Sequence, residues 1–244
     1  MSLRSSMNSI PSNRVLISGG SGFVGYWMGK TNPKDTLSML VSSKGYQDTW
    51  EGYDFTHIVH LAPVSPARVL KYAKEHGTRV LFASSGAIYN GRNQYAYHKR
   101  LWEAECVHSN VDVVIVRLFT FIGARLKNLY AITRFIEAAK AGKPLEVWGD
   151  GSTVRSYLYG SDLGNWMWKL LLEGEGVYDV GSATPYSIRE VARLVADVIP
   201  AKIQYVNVHA PVTCYLPDIS RARELGCEET VNLREAIERV INEK

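Results

Sequence analysis

The sequence lacks three features that would place it in other classes of protein: long apolar runs, concentrated charge and a cysteine framework. No stretch approaches the roughly 18 apolar residues of a membrane-spanning helix. The net charge of +4 is small and the basic residues are scattered, which argues against a nucleic-acid partner. Its three cysteines, Cys106, Cys214 and Cys227, have no metal-binding spacing and are odd in number. We therefore expect a cytoplasmic protein without a metal site, a disulfide framework or a membrane partner.

The composition is ordinary for a soluble globular enzyme. Of the 244 residues, 46% are hydrophobic and 21% are charged. This length fits one large domain, or one domain with a small appendage. Residues 1–12 are rich in serine and asparagine and have no apolar core, so we expect a disordered tail there.

The order of apolar segments predicts two parts. In residues 13–125, short apolar strands alternate with helical patterns, which is typical of a Rossmann-type doubly wound parallel sheet that binds a dinucleotide. From residue 126 to 244 the pattern changes, and we expect a small α/β substrate lobe over the carboxyl edge of the sheet. Within this second part, the apolar segment 177–181 is expected to return to the Rossmann sheet as a strand.

The stretch RVLISGGSGFVG, residues 14–25, has the form of a buried strand, a glycine turn and a helix start. Its glycines, Gly19, Gly22 and Gly25, are spaced G-x-x-G-x-x-G. Glycines let the backbone approach a pyrophosphate closely, and the free N–H groups of the helix start hold its charge. We therefore predict cofactor contacts from these glycines and from Phe23 and Val24; the alternative is a plain strand-to-helix turn.

Two further segments carry reactive side chains. Ser84 and Ser85 follow an apolar strand, which directs them to the carboxyl edge of the sheet, whereas Tyr95 and Lys99 lie four residues apart on one helix face. An unperturbed tyrosine is a weak base at neutral pH, but a nearby ammonium and an oxidised nicotinamide favour the phenolate. Taken separately, these segments would be a polar loop and an exposed helical pair. Their order after the glycine turn favours a catalytic site.

Together these segments resemble the extended short-chain dehydrogenase/reductases, the NAD-dependent epimerase/dehydratase family that modifies nucleotide-activated sugars. The resemblance implies Ser85, Tyr95 and Lys99 as catalytic residues. It also rests on segments typical of the family, namely His60-Leu61-Ala62, Ser84-Ser85 with Tyr89, Arg117-Leu118-Phe119, Gly149-Asp150-Gly151 with Arg155 and Asp162, and 178–181. It implies cofactor contacts from His60, Leu61, Ala62, Ser84 and Lys99, and substrate contacts from Ser85, Thr120 and Arg155, the last holding a sugar-nucleotide diphosphate.

The chain departs from the family pattern around the substrate. Thr120 replaces an asparagine, Ala124 replaces a proline, and only nine residues separate Ser85 from Tyr95. The connection between residues 60 and 79 is also short, and no second diphosphate arginine is evident in 209–215. A cofactor-binding sensor or scaffold without catalysis is therefore a second hypothesis beside the enzyme.

The reaction type follows from the residues after Ser85. A sugar 4,6-dehydratase of the family carries an Asp-Glu pair there, whereas this chain has Gly86 and Ala87, which cannot transfer protons. Epimerisation is therefore expected first, ketosugar reduction second and dehydration third.

The expected cofactor is NAD(P), with NADP favoured over NAD. An NAD-preferring site places a carboxylate at the end of the second strand, about 20 residues after the first glycine. Here that strand ends in Ser42, Ser43 and Lys44, which suit a 2′-phosphate better. Asp48 lies a few residues beyond this point, and a loop without discrimination is the alternative.

A homodimer is expected from the family resemblance. Members pair through the helix that carries Tyr-x-x-x-Lys and the helix before it. Leu101, Trp102 and Val107 would supply apolar surface for such an interface.

Overall fold

A computed structural model of the chain describes residues 12–42, 52–126, 130–208 and 212–242. Its strands are β1 Asn13–Ser18, β2 Thr36–Val41, β3 His57–His60, β4 Arg79–Ser85, β5 Val113–Leu118, β6 Phe121–Ile122, β7 Leu145–Trp148, β8 Val154–Arg155, β9 Leu158–Tyr159, β10 Val177–Val180, β11 Tyr186–Ser187, β12 Ile203–Val206 and β13 Cys214–Tyr215. Its helices are α1 Phe23–Lys30, α2 Ala67–His76, α3 Ala87–Asn90, α4 Gln94–Val107, α5 Ala131–Lys140, α6 Gly160–Glu173, α7 Ile188–Val198, α8 Ser220–Glu224 and α9 Leu233–Asn242. Among the residues so described, no helix is long and apolar enough to cross a bilayer.

The main sheet has six strands in the order β10-β5-β4-β3-β1-β2, and every pairing within it is parallel. Alternate residues of these strands face opposite layers, as a period of two requires. Val15 and Ile17 pack with residues of α6 on one face, and Leu16 packs with residues of α2 on the other. Helices therefore cover both faces, and the predicted α/β Rossmann-type fold is confirmed.

The carboxyl ends of the parallel strands meet along one edge, and local sequence determines where several strands and helices stop. Helix α2 ends at Gly77, whose φ of 65° is a left-handed conformation that glycine adopts without strain. The sequence predicts that Ser84 and Ser85 follow an apolar strand, whereas β4 runs through both serines, which are its last residues. They remain at the edge where a ligand of such a sheet is expected.

The second part of the chain builds a smaller core. Helices α5, α7 and α9 pack around β7 through Phe135, Leu145, Val195 and Ile237. Helix α7 begins with a capping box, which its Ser187-x-x-Glu190 sequence predicts: the Ser187 hydroxyl accepts from the backbone N–H of Glu190, and the Glu190 carboxylate accepts from the backbone N–H of Ser187. Short sheets link this lobe to the main body, with β6 beside β9 and β8 between β11 and β13.

Parts of the second half belong to the main sheet. Strand β10 pairs in parallel with β5, and α6 packs against the sheet through Trp166, Met167 and Leu170. Helix α6 also lies directly on α1, because Gly160 and Gly164 leave room for the backbone and ring of Trp27. The division into a sheet domain at 13–125 and a lobe at 126–244 stays a prediction.

Candidate active site

The glycine turn brings two backbone segments into direct contact. A Cβ on Gly25 would lie 2.4 Å from the Cα of Gly20, and a Cβ on Gly19 would lie 2.8 Å from the amide nitrogen of Ala62. Gly19 also has a φ of 75°, which is strained for other residues. Helix α1 begins directly after Gly22, which has no side chain to cap it, so the amides of its first turn are available to an anion. This cradle fits the pyrophosphate of a dinucleotide.

A cavity of about 730 Å³ lies beside this turn at the carboxyl edge of the sheet. It brings together predicted cofactor, catalytic and substrate residues from distant parts of the chain, namely Phe23, Val24, Leu61, Ser84, Ser85, Tyr95, Lys99, Thr120 and Arg155. The sheet topology explains this convergence, since β4 and β5 are neighbours that end at the same edge and α4 packs against both of them.

Lys99 is buried against the end of β4. Its Nζ donates to the carbonyl of Ala83 at 2.6 Å and lies 5.0 Å from the ring centre of Phe82 and 5.3 Å from that of Trp102. Burial lowers the pKa of Lys99 to about 8, although the nearby Glu103 carboxylate raises it. The side chain therefore remains an ammonium at neutral pH, held by one carbonyl and aromatic faces.

Tyr95 and the two serines face the same space as this ammonium. Tyr95, half-exposed in the first turn of α4, has its ring centre 5.9 Å from Lys99 Nζ, as the four-residue spacing predicted. Ser85 Oγ accepts a hydrogen bond from the Ala87 amide at 3.2 Å. Ser84 is only 2% exposed and its hydroxyl has no partner in the described protein. A bound ligand would supply the hydrogen bond that this buried hydroxyl lacks.

Helix α4 is fixed on the sheet by an ion pair behind the cavity. Arg117 of β5 donates through Nε and Nη2 to the two carboxylate oxygens of Glu103, at 3.1 and 2.8 Å. Its Nη1 also donates to the hydroxyl of Tyr89. The bidentate geometry holds the turn of helix next to Lys99 in place.

Some predicted cofactor residues lie away from the cavity wall. His60 is fully buried beneath the turn, where Nδ1 is bonded to the Ser18 hydroxyl at 2.8 Å and Nε2 to the Val64 carbonyl at 3.1 Å. Burial lowers its pKa to about 4, so the imidazole is neutral and orders the loop after β3. Ser42 lies exposed just after β2, whereas Ser43 and Lys44 lie outside the described residues.

The structure adds Tyr215, which the sequence analysis did not identify. This residue lies in the two-residue strand β13, lines the same cavity as Ser85, and has its ring centre 4.6 Å from that of Phe119. Burial raises the pKa of Tyr215 to about 12. The surrounding sequence has no glycine pattern or periodicity, so no local signal marks this tyrosine as a site residue.

Arg155 lines two neighbouring cavities. Its Nη1 donates to the carbonyl of Thr213 at 3.2 Å and its Nη2 to the hydroxyl of the same residue at 2.9 Å. Beyond it lies a second cavity of about 400 Å³, where the guanidinium of Arg134 covers the ring of Trp148 at 4.4 Å. A phosphate group between the two cavities would meet a positive charge here.

Comparison with known proteins gives the same family as the motifs. The sequence profile described as the NAD dependent epimerase/dehydratase family matches residues 52–181, which is more than half of the chain. UDP-glucuronic acid decarboxylase 4 of Arabidopsis thaliana is 29% identical over 205 positions, which cover 71% of this chain and 46% of that protein. The chain thus spans about half the length of this relative. The aligned part of this chain, 71% of its 244 residues, amounts to about 173 residues. Because the alignment is 205 positions long, the relative has residues in this region that the chain lacks.

Solved structures share the fold across nearly the whole chain. UDP-glucose 4-epimerase of Thermus thermophilus, in complex with NAD, has a TM-score of 0.76 at 20% identity and covers 94% of this chain and 98% of its own. RMD of Pseudomonas aeruginosa, complexed with NADPH, has a TM-score of 0.74 at 21% identity with the same coverage. At these identities the likeness shows the fold alone.

The burial of Lys99 predicts an altered dependence of stability on pH. The folded pKa of about 8 lies below the unfolded value of 10.5, so the buried ammonium destabilises the fold below pH 8, and this cost disappears as pH rises to 10.5. Lys99→Met should therefore raise the free energy of unfolding at pH 7 by about 2 kcal/mol, after allowance for the lost hydrogen bond. This gain should shrink between pH 8 and 10.5.

Denaturant unfolding across this pH range measures the effect. Lys71→Met is the matched control, because Lys71 is exposed on α2 and its removal should leave the pH dependence unchanged. A Lys99→Met protein with the pH dependence of the wild type would contradict the prediction.

Proposed function

We propose that this chain, which belongs to the NAD dependent epimerase/dehydratase family, is an NAD(P)-dependent nucleotide-sugar epimerase. The observation that carries the proposal is the shared cavity at the carboxyl edge of the sheet. It contains the start of α1, the serines of β4, the Tyr95–Lys99 pair and Arg155. A cofactor-binding sensor would need the start of α1, but it would not need a phenol beside a buried ammonium.

Each catalytic side chain has a role that fits its environment. Tyr95 takes a proton from a sugar hydroxyl, and the Lys99 ammonium, 5.9 Å from its ring centre, favours the phenolate. Ser85 donates a hydrogen bond to the same sugar oxygen as it becomes a carbonyl. Lys99 also binds the ribose hydroxyls of the cofactor. A bound nicotinamide supplies the acceptor and donor of hydride at the sugar carbon.

The nucleotide part of the substrate is assigned to the second cavity. Arg155 binds the diphosphate as a forked donor, and Thr120, which is buried on the cavity wall, contacts the sugar. The exposed indole of Trp148 offers a flat surface for a nucleobase beyond the diphosphate. The names of the relatives, UDP-glucuronic acid decarboxylase and UDP-glucose 4-epimerase, support UDP-sugars as the first substrates to test.

Epimerisation is preferred over dehydration because of Gly86. A side chain at this position would lie 2.5 Å from the Phe119 ring and 2.7 Å from the Tyr215 hydroxyl, so the site has no room for an acid there. Ketosugar reduction remains the second candidate and dehydration the third.

A homodimer through α4 and α2 is part of the proposal. Helix α4 exposes Leu101 and Val107, at 46% and 67%, and Trp102 packs partly into the core beside α2. Sedimentation showing only a 27.3 kDa species at micromolar concentration would contradict a dimer.

The proposal predicts activity that depends on Tyr95. Incubation with NAD or NADP and a panel of UDP-sugars, followed by NMR of the products, should show conversion of one sugar to its epimer. Tyr95→Phe should lower turnover by at least about a thousandfold, because it removes the base, and leave cofactor affinity nearly unchanged. Tyr97→Phe is the matched control, since Tyr97 is exposed on the same helix without a lysine four residues later.

Two results would contradict this proposal. Full activity in Tyr95→Phe would remove the base from the mechanism, and release of a stable 4-keto-6-deoxy sugar would show a dehydratase instead.

The preference for NADP is a separate prediction. NADPH should bind more tightly than NADH, because Ser42, Ser43 and Lys44 offer hydroxyls and an ammonium to the 2′-phosphate. Fluorescence titration measures both affinities, and Lys44→Ala should weaken NADPH binding alone. Tighter NADH binding that is unchanged in Lys44→Ala would show that the preference is wrong.

A further inference from the structure

Two motif residues, Tyr89 and Arg117, have no part in the proposed reaction. They belong to a chain of polar contacts behind the main cavity, in which each hydrogen bond is 3.1 Å or shorter. Glu103 of α4 pairs with Arg117 of β5. Arg117 in turn donates to Tyr89 of α3, whose hydroxyl donates to Asp179 of β10. The contacts therefore connect the helix that carries Lys99 with the edge strand of the main sheet.

The spacing of Lys99 and Glu103 would favour a different ion pair. Residues four apart on a helix are neighbours, and a lysine and a glutamate so placed attract each other. Two other helices, α2 and α6, carry a lysine and a glutamate in this order and pair them, at 4.0 and 3.0 Å. No such pair joins Lys99 to Glu103 in the part of the chain that the structure describes, where the ammonium donates to the Ala83 carbonyl instead. Another group therefore occupies the carboxylate.

Arg117 is that group. Its Nε and Nη2 donate to the two separate oxygens of Glu103, at 3.1 and 2.8 Å. Both side chains are mostly buried, with 22% of Arg117 and 11% of Glu103 exposed. A forked, charge-assisted pair is strong in such surroundings, and an ammonium cannot reproduce its geometry. The carboxylate is therefore held by the sheet rather than by the lysine on its own helix.

Tyr89 and Asp179 fix the remaining end of the guanidinium. Arg117 Nη1 donates to the Tyr89 hydroxyl at 2.8 Å, and the guanidinium carbon lies 5.0 Å from the Tyr89 ring centre. The Tyr89 hydroxyl donates to Asp179 Oδ1 at 2.8 Å. Asp179 is buried, and its Oδ2 accepts from the backbone N–H of Asp218 at 3.1 Å. Three nitrogens of Arg117 thus have defined acceptors, which sets the plane in which it meets the glutamate.

The charge of Glu103 matters because of the other groups near the lysine. The titratable groups that face the Lys99 ammonium are Glu103, Cys106, Tyr95 and His60. Burial raises the pKa of the Cys106 thiol to about 12 and lowers that of the His60 imidazole to about 4, so both are neutral at pH 7. Glu103 is the one carboxylate of the four, and its restraint decides whether the ammonium has a competing partner.

We propose that Arg117 is a positioning residue, which holds both oxygens of Glu103 and so leaves the Lys99 ammonium free for the catalytic site. Tyr89 and Asp179 support this role by fixing Arg117. The inference rests on the proposed function, in which Lys99 favours the phenolate and binds the cofactor. It gives a common purpose to two sequence motifs, the strand with Arg117 and the tyrosine after the strand-end serines.

The pKa of Lys99, followed by NMR of isotope-labelled lysine, tests the proposal without any substrate. Arg117→Met should raise this pKa from about 8 to about 9 or higher, because the released Glu103 carboxylate then pairs with the ammonium. Adding Glu103→Gln removes that charge and keeps the size of the side chain, so the pKa should return to the wild-type value or below. Absence of its signal in Lys99→Met identifies the lysine.

Arg79→Met is the matched control. Arg79, at the other end of β4, is also a mostly buried arginine, 21% exposed, and it pairs with Asp112 at 3.2 Å. Its loss should lower stability and leave the pKa of Lys99 unchanged. If circular dichroism shows that Arg117→Met is unfolded, Arg117→Gln, which keeps one donor, replaces it with the same expected rise. An unchanged pKa in the folded variant, or a rise that persists after Glu103→Gln, would overturn the proposal.

Kinetics separate a positioning role from a purely structural one. Arg117→Met should lower kcat about tenfold with KM changed less than about twofold, and adding Glu103→Gln should restore most of the lost rate. A double variant as slow as Arg117→Met would overturn the proposal, since a second lost contact does not rescue a structural defect. If the wild type converts no nucleotide sugar, the proposed function fails, while the NMR titration still decides whether Arg117 controls Lys99.

Discussion

The contact between the backbone at Gly20 and that at Gly25 determines where the first helix begins, and the rest of the site depends on that position. Only a residue without a Cβ allows α1 to start so close to the end of β1. The helix is then locked from its other side by α6, whose Gly160 and Gly164 accept the Trp27 ring and backbone. The amides at the start of α1 therefore face the carboxyl edge of the sheet at a fixed place, where an anionic group binds.

The second constraint is the buried ammonium of Lys99. The protein keeps a charge in a site that lowers the lysine pKa to about 8, with one carbonyl acceptor and aromatic rings around it. Such an arrangement costs stability, and proteins tolerate this cost mainly where the charge has a function. The Glu103 carboxylate behind Lys99 is paired with Arg117. It therefore does not draw the Lys99 ammonium away from the cavity.

The sequence allowed much of the fold and part of the site to be predicted, for identifiable physical reasons. The strand, turn and helix start predicted for residues 14–25 depend on a local pattern, and they agree with β1 and α1 of the structure. The Tyr95–Lys99 pair follows from helix geometry. Tyr215 could not be predicted, because its place depends on the docking of a two-residue strand from the lobe. The neutral state of His60 depends on burial that no motif reveals.

The most direct test of this account is whether the close contact at the glycine turn controls cofactor binding. Gly25→Ala places a methyl group 2.4 Å from Gly20, whereas Gly29→Ala, on the same helix, has only ordinary contacts with Leu40 at 3.8 Å. Fluorescence titration with NADH and NADPH, after circular dichroism has shown that both variants are folded, should give at least about tenfold weaker binding for a folded Gly25→Ala protein. Gly29→Ala should bind like the wild type. Equal binding by a folded Gly25→Ala protein would contradict the assignment of the turn as the dinucleotide site.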